Sequence, residues 1–245
     1  DSGNQGKMAA LAIHGGLADH RAALHLAEPI ASLARIVAPD LRAAGQSHFD
    51  GTLSWELLAE DLVALLDRLA IDRALVIGTS MGSGVALRLA LDFPDRVAGL
   101  VLVSPMYPGA DRALAPAQRT ALERMAEFGS RAERDGIEAL IPIYDALPSP
   151  LRERATAMAR AFDPASVATT TRFLATFVQP FDTIASLAAI ALPTLIVPGT
   201  DPEHPREVAA AYAGALSDAI TAEITAYTRA LPELLRLVDK ENHLQ

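Results

Sequence analysis

Five residues, Gly78-Thr79-Ser80-Met81-Gly82, carry the clearest chemical signal in the chain. They follow an apolar run, Ala74-Leu75-Val76-Ile77, and lead into a helical pattern over Ser83–Phe93, so a strand must turn sharply into a helix at Ser80. Glycines two residues either side of the serine suit such a turn. The central residue is strained, and a side chain at either flank would collide with neighbouring backbone. The strain lifts the Ser80 hydroxyl clear of the sheet, and the Met81 N–H, at a helix N-terminus, points to where an oxyanion would form. The chemistry served by this geometry is attack of a serine oxygen on a carbonyl carbon.

A second glycine-rich loop, His14-Gly15-Gly16-Leu17, follows an apolar run near the start of the chain. Its glycines let backbone approach a ligand and offer it an N–H. His14 reads as a brace for this loop rather than as a catalytic base. His20, His25 and His48 lack the spacing of a metal site, and no histidine pair stands at i and i+4 around a helical carboxylate, so no metal is expected. Asp40, Arg42 and Ser47 read as residues that fix a loop by hydrogen bonds.

Both loops need a rigid scaffold. Met8–Ile13, Arg35–Ala38, Ala74–Gly78, Gly99–Val103 and Thr194–Val197 read as short buried strands bounded by Gly, Pro or Asp. His20–Ala34, Ser54–Leu69, Met81–Phe93 and Arg206–Leu216 read as the helices between them. Ser54 stands ahead of Trp55, Glu56 and Leu57 at the spacing of a capping box, and Leu57, Leu58, Leu62, Leu65, Leu66 and Leu69 follow at helical period. Strands separated by helices of this length imply crossover connections, and hence a mostly parallel sheet covered on both faces. The fold class is α/β, doubly wound.

The alternation stops between Pro105 and Leu192. About four helical stretches follow one another there, with prolines at 108, 116, 142, 148, 150, 164 and 180 and no strand-like run. A helical block inserted between two sheet strands reads as a lid over the carboxyl ends of the strands, where open α/β sheets bind ligands. Residues 1–104 and 193–245 then form the core and 105–192 the lid, which supplies most of the substrate pocket.

Taken in order, His14-Gly15-Gly16, then Ala38-Pro39-Asp40-Leu41-Arg42-Ala43-Ala44-Gly45-Gln46-Ser47, then Gly78-Thr79-Ser80-Met81-Gly82, the chain resembles the α/β-hydrolase superfamily of esterases, lactonases, thioesterases and C–C hydrolases. Phe93-Pro94-Asp95-Arg96-Val97 and the apolar run after it also match the segment that follows the elbow in that family. The resemblance covers essentially the whole chain outside the lid, although the strands that usually precede the His-Gly loop are absent. It implies an oxyanion hole made by Met81 with Gly16 or Leu17. The acid is implied after the next strand, where Pro193–Pro202 places Asp201; by its own sequence Asp201 is also a turn aspartate ahead of a proline.

The base departs from the family pattern. Its histidine usually stands in a loop some 25 or more residues beyond the acid, and here a strand around Ala219–Ala226 runs almost directly into a helix over Leu231–Lys240, so that loop is shortened. Only His204 and His243 follow Asp201. His204 lies in the acid loop itself and would reach Ser80 from an unusual direction; His243 lies three residues from the C-terminus. Either is the base, or there is none. With His204 as base, Asp201 stands close to it in sequence and Asp111 becomes the spare acid.

Composition narrows the partners. Of 245 residues, 51% are hydrophobic and 21% charged, enough apolar material for a large core without a disordered bias. The net charge is −9 and the 21 lysines and arginines are scattered, which argues against nucleic acid. There is no cysteine, which removes disulfides and thiolate chemistry. The polar start, Asp1 to Lys7, resembles a trimmed beginning. The six apolar residues after it are too few for a signal peptide or a membrane span, so a soluble, cytoplasmic chain without membrane contact is expected. No cofactor is called for, and the oligomeric state is open. The leading reading is a serine hydrolase of a small-molecule ester, thioester or lactone. The rivals keep the fold without a full triad, as a small-ligand binder or as a lyase or cyclase on a natural-product intermediate.

Overall fold

The structure, a computed structural model, describes residues 1–3 and 7–242. Six strands, β1 (Ala9–Ile13), β2 (Arg35–Val37), β3 (Ala74–Thr79), β4 (Val97–Val103), β5 (Thr194–Val197) and β6 (Ala219–Thr221), form one sheet in the order β2-β1-β3-β4-β5-β6. Every pairing is parallel. Each strand returns through a helix: α1 (His20–Ala27), α2 (Trp55–Arg68), α3 (Met81–Asp92), α7 (Arg206–Ala215) and α8 (Tyr227–Asn242) lie around the sheet.

The central strands are apolar throughout, because both faces are covered, and alternate residues feed two separate cores. Leu11, Ile13, Val76, Leu100, Leu102 and Ile196 point to the side of α2, α3 and α7. Ala10, Ala12, Leu75, Ile77, Val101 and Val197 point to the side of α1 and α8. Ile13 pairs with Gly78, Gly78 with Leu102, and Val103 with Val197, so the carboxyl ends of four strands stand level. The strand order reverses between β1 and β3, and the loops leaving those two strands part there to opposite sides of the sheet, leaving a crevice.

Between β4 and β5 lies the helical block, with α4 (Pro116–Asp135), α5 (Ser149–Ala159), α6 (Pro164–Leu174) and 3₁₀ turns at Ile137–Tyr144 and Ile184–Ala189. It has its own small core of Phe128, Ala132, Leu140, Ala159, Phe162 and Val167, into which Leu17 projects from below. Hydrogen bonds fasten it to the sheet side: Phe49 N–H donates to Ser166 Oγ (2.9 Å), Thr170 Oγ1 to the Ala43 carbonyl (2.8 Å), and Trp55 Nε1 to the Val178 carbonyl (2.9 Å).

The elements depart from the sequence expectation at several points, three of them for a clear local reason. α1 ends at Ala27 rather than Ala34, because Pro29 has no N–H to continue it and Glu28–Ile30 tighten into a 3₁₀ turn. At α2 only half of a capping box exists: Ser54 Oγ accepts from Leu57 N–H (3.1 Å), but leucine cannot return the bond. β6 stops at Thr221 rather than running to Ala226, because its partner β5 ends at Val197, ahead of Pro198, and leaves nothing to pair with. No helix of the described residues is long and apolar enough to cross a membrane.

Candidate active site

Ser80 sits at φ 52° and ψ −116°, in the left-handed region that a serine rarely adopts. The strain is held from both sides. Ser80 N–H donates to the Val103 carbonyl at the end of β4 (2.9 Å), and the Ser80 carbonyl accepts from Ser83 N–H (2.9 Å) and Ser83 Oγ (2.6 Å) in the first turn of α3. The flanking glycines are required by space. A Cβ at Gly82 would lie 2.6 Å from the Ile13 and His14 carbonyl oxygens, and one at Gly78 would lie 2.5 Å from the Gly82 carbonyl carbon. The hydroxyl is thereby presented above the level ends of β1 and β3, beside the N-terminus of α3.

The loop after β1 is braced from within. His14 is buried; its Nε2 accepts from Leu41 N–H (3.0 Å), which leaves Nδ1–H to donate to the Gly15 carbonyl (2.8 Å). Burial drives its imidazole pKa below the ordinary value, in keeping with a neutral structural ring. Gly15 runs against the elbow, since a Cβ there would touch Ser80 Cβ at 3.4 Å. Leu17 has φ 55°, and its carbonyl accepts from Tyr144 Oη of the helical block (3.1 Å). Gly16, Ser80 and Met81 line one cavity of about 30 Å³, together with Met106, Leu122, Met125 and Leu174. That volume holds little more than a water or two as it stands. A smaller cavity of about 10 Å³ lies beyond Leu17 and Met81, and Ser80 does not line it.

The loop after β5 brings in the other two expected residues. His204 Nε2 lies 2.9 Å from Ser80 Oγ, and His204 Nδ1 lies 2.8 and 3.0 Å from the two carboxylate oxygens of Asp201. A spacing of three residues suffices because the turn is tight: Asp201 Oδ1 also accepts from Glu203 N–H (2.9 Å) and His204 N–H (3.0 Å), folding the segment around the carboxylate. The His204 side chain is 16% exposed and that of Asp201 50%. With Nδ1–H donated to the carboxylate, Nε2 is left as the acceptor facing the serine hydroxyl. Gly199 makes the approach possible, because a Cβ there would lie 2.5 Å from the His204 carbonyl oxygen and collide with His204 Cβ.

The remaining candidates fall elsewhere. Asp111 is exposed on the turn after Gly109, its N–H bonded to the Asp182 carbonyl, and the carboxylate against His204 is that of Asp201. His243 lies outside the described residues. The spacing argument overlooks one group, because Asp40 arrives from a different loop: ligand atoms of Asp19, His20 and Asp40 lie within 4.8 Å of one another. These atoms are already engaged. Asp19 binds the Arg21 guanidinium (2.6 Å), and Asp40 accepts from the His20 ring (2.7 Å), His20 N–H (2.8 Å) and Gln46 N–H (2.9 Å). Burial alone would raise the Asp40 pKa, but these donors hold it below its ordinary value. Arg42 pairs with Asp61 (2.5 Å) and Ser47 Oγ bonds the Asp40 carbonyl (2.9 Å), which ties down the loop between β2 and α2. Sequence reasoning also passes over Gly199 and Glu203; the signal for the first is the Gly-Thr-Asp ending of β5.

Chemically, the arrangement can pass a proton from a strained serine to an oriented imidazole at the edge of a small cavity with a largely apolar lining, with helix and loop N–H groups nearby. A sheet of this order, an elbow after β3 and an inserted helical block define a class. The chain belongs to the alpha/beta hydrolase fold family, whose sequence profile matches residues 11–221. Among curated relatives, Lipase LipV of Mycobacterium tuberculosis is 40% identical over 108 residues, 42% of this chain and 39% of the lipase. The putative carbamate hydrolase RutD of Variovorax paradoxus is 33% identical over 176 residues, 68% of this chain and 63% of that protein. Each matched stretch is less than two thirds of the relative's own length. Among solved structures, a thermophilic esterase from Thermogutta terrifontis is similar with TM-score 0.77 and 26% identity, over 95% of this chain and 90% of that one. The enol-lactonase of Burkholderia xenovorans LB400, at TM-score 0.76 and 19% identity over 96% and 93% of the two chains, shares the fold.

Proposed function

We propose that the protein is a serine hydrolase that cleaves a small-molecule ester, thioester or lactone through an acyl-enzyme on Ser80. The observation that carries this reading is the run of contacts from Asp201 to His204 to Ser80, at 2.8 and 2.9 Å, ending on a residue at a strained elbow. Relatives named as a lipase and an esterase support hydrolysis as the general activity.

In this reading Ser80 Oγ attacks the carbonyl carbon as its proton passes to His204 Nε2. The oxyanion is met by Met81 N–H and by the N–H of Gly16 or Leu17. Collapse of the tetrahedral adduct breaks the bond to the leaving oxygen or sulfur, which takes the proton back from His204. A water then attacks the acyl-enzyme with His204 as base, and the acid leaves. Asp201 holds the imidazole in the required tautomer and stabilises its charged form. The helical block at 105–192 acts as the lid: Met106, Leu122, Met125 and Leu174 come from it, and a cavity of about 30 Å³ must widen to admit substrate.

The test is covalent labelling by a fluorophosphonate, followed by turnover of a short-chain p-nitrophenyl ester. We expect labelling that disappears in Ser80→Ala, together with a loss of at least about 10³-fold in kcat/KM. An unlabelled protein, or a Ser80→Ala variant with unchanged turnover, would overturn the reading in favour of a fold that merely binds a ligand.

A further inference from the structure

We infer that Glu203 sets the charge preference of the reaction, drawing cationic leaving groups to the site and turning anionic ones away; this rests on the serine-hydrolase reading above. Glu203 is half-buried and lines the same cavity as Ser80 and His204. Among the described residues no lysine or arginine lines that cavity, whose other walls are uncharged side chains, Tyr107 among them, or the reacting residues themselves. Arg206, the nearest cation along the chain, is turned away into an ion pair with Glu223. Glu203 takes part in no ion pair among the described residues, whereas the neighbouring Asp201 carboxylate accepts a hydrogen bond from His204.

The side of the substrate that meets Glu203 follows from the proton path. His204 must return its proton to the leaving oxygen, so the leaving group lies on the imidazole side of the tetrahedral carbon, in the cavity that Glu203 and His204 both line. An uncompensated carboxylate about 6 Å from a unit charge, in a partly wet cleft, changes association by on the order of tenfold in either direction. The effect weakens with salt, because the screening length is about 10 Å at 0.1 M. An amino alcohol or quaternary ammonium alcohol is therefore the favoured leaving group, and a carboxylated or sulfonated one the disfavoured.

Three acetyl esters of nearly equal shape test this at low ionic strength: acetylcholine, neohexyl acetate as its uncharged counterpart, and acetyl isethionate as the anionic one. We expect kcat/KM to fall by roughly tenfold at each step in the wild-type protein. The ratios should shrink to within about threefold in Glu203→Gln and return in Glu203→Asp, with salt flattening the wild-type series as the substitution does. Ratios equal in the wild-type and Glu203→Gln proteins would overturn the inference, whatever the absolute rates. Failure of the underlying reading looks different: neohexyl acetate would not be hydrolysed, or would be hydrolysed equally by Ser80→Ala. In that event choline and neohexanol binding is compared by NMR titration. A choline preference lost in Glu203→Gln supports the inference, and equal binding of the two alcohols overturns it.

Discussion

Gly199 and His204 are in contact across a tight loop, the His204 backbone and Cβ occupying the space that a Cβ on residue 199 would need. Any larger residue at 199 must push His204 away from Ser80, since the β5 side of the loop is anchored in the sheet. We therefore expect Gly199→Ala to remain folded, at a cost of about 1–3 kcal/mol from overpacking. Its kcat/KM should fall by roughly 10²-fold, the scale of a base displaced by about 1 Å. Thermal melting and steady-state kinetics on one preparation separate the two effects; full activity with a lowered melting temperature would mean that the loop relaxes without moving the imidazole.

Removing the imidazole should cost more than removing its carboxylate partner. His204→Ala is expected to lower kcat by roughly 10²- to 10⁴-fold. Asp201→Asn should cost less, because a side chain that is 50% exposed lets water take over the Nδ1–H bond. Equal losses in the two variants would show that Asp201 fixes the tautomer more tightly than its exposure suggests.

His14 gives the fold a pH dependence of predictable sign. Burial holds its pKa below 6.5 in the folded protein, while the unfolded chain titrates near the ordinary value. Between the two values the unfolded state binds a proton that the folded state does not, so stability is full above about pH 6.5 and is lost as the pH falls through that window. Asp40, whose folded pKa lies below its ordinary carboxylate value, acts only at more acidic pH. We expect the drop in melting temperature from about pH 7.5 to about pH 5.5 to be larger in the wild-type protein than in His14→Gln. An equal drop would place the pH sensitivity on other groups.

Much of this architecture can be read from the chain, because buried parallel strands leave unbroken apolar runs and glycines mark where backbone crosses backbone. Ala74–Ile77 and Gly78–Gly82 are legible for that reason, since strand, strain and helix succeed one another within a few residues. The partnership of Asp201 with His204 is not. A gap of three residues reads as too short for an acid to orient a base, and only the Asx-type turn, with two backbone N–H groups on one carboxylate oxygen, folds it into reach. The ends of α1 and β6 escape for a different reason. Where β6 stops depends on how long its neighbour β5 is, and where α1 stops depends on a proline inside a pattern that remains helical in its apolar spacing.

The fold of residues 199–205 also bears on how such a protein can change. The aspartate, the histidine and the glutamate between them stand on one short peptide, clear of the elbow that carries the serine. In our reading a single exchange of that peptide would move proton transfer and charge discrimination together, as one inherited cassette. Substrate shape, written in the helices of 105–192, would drift independently.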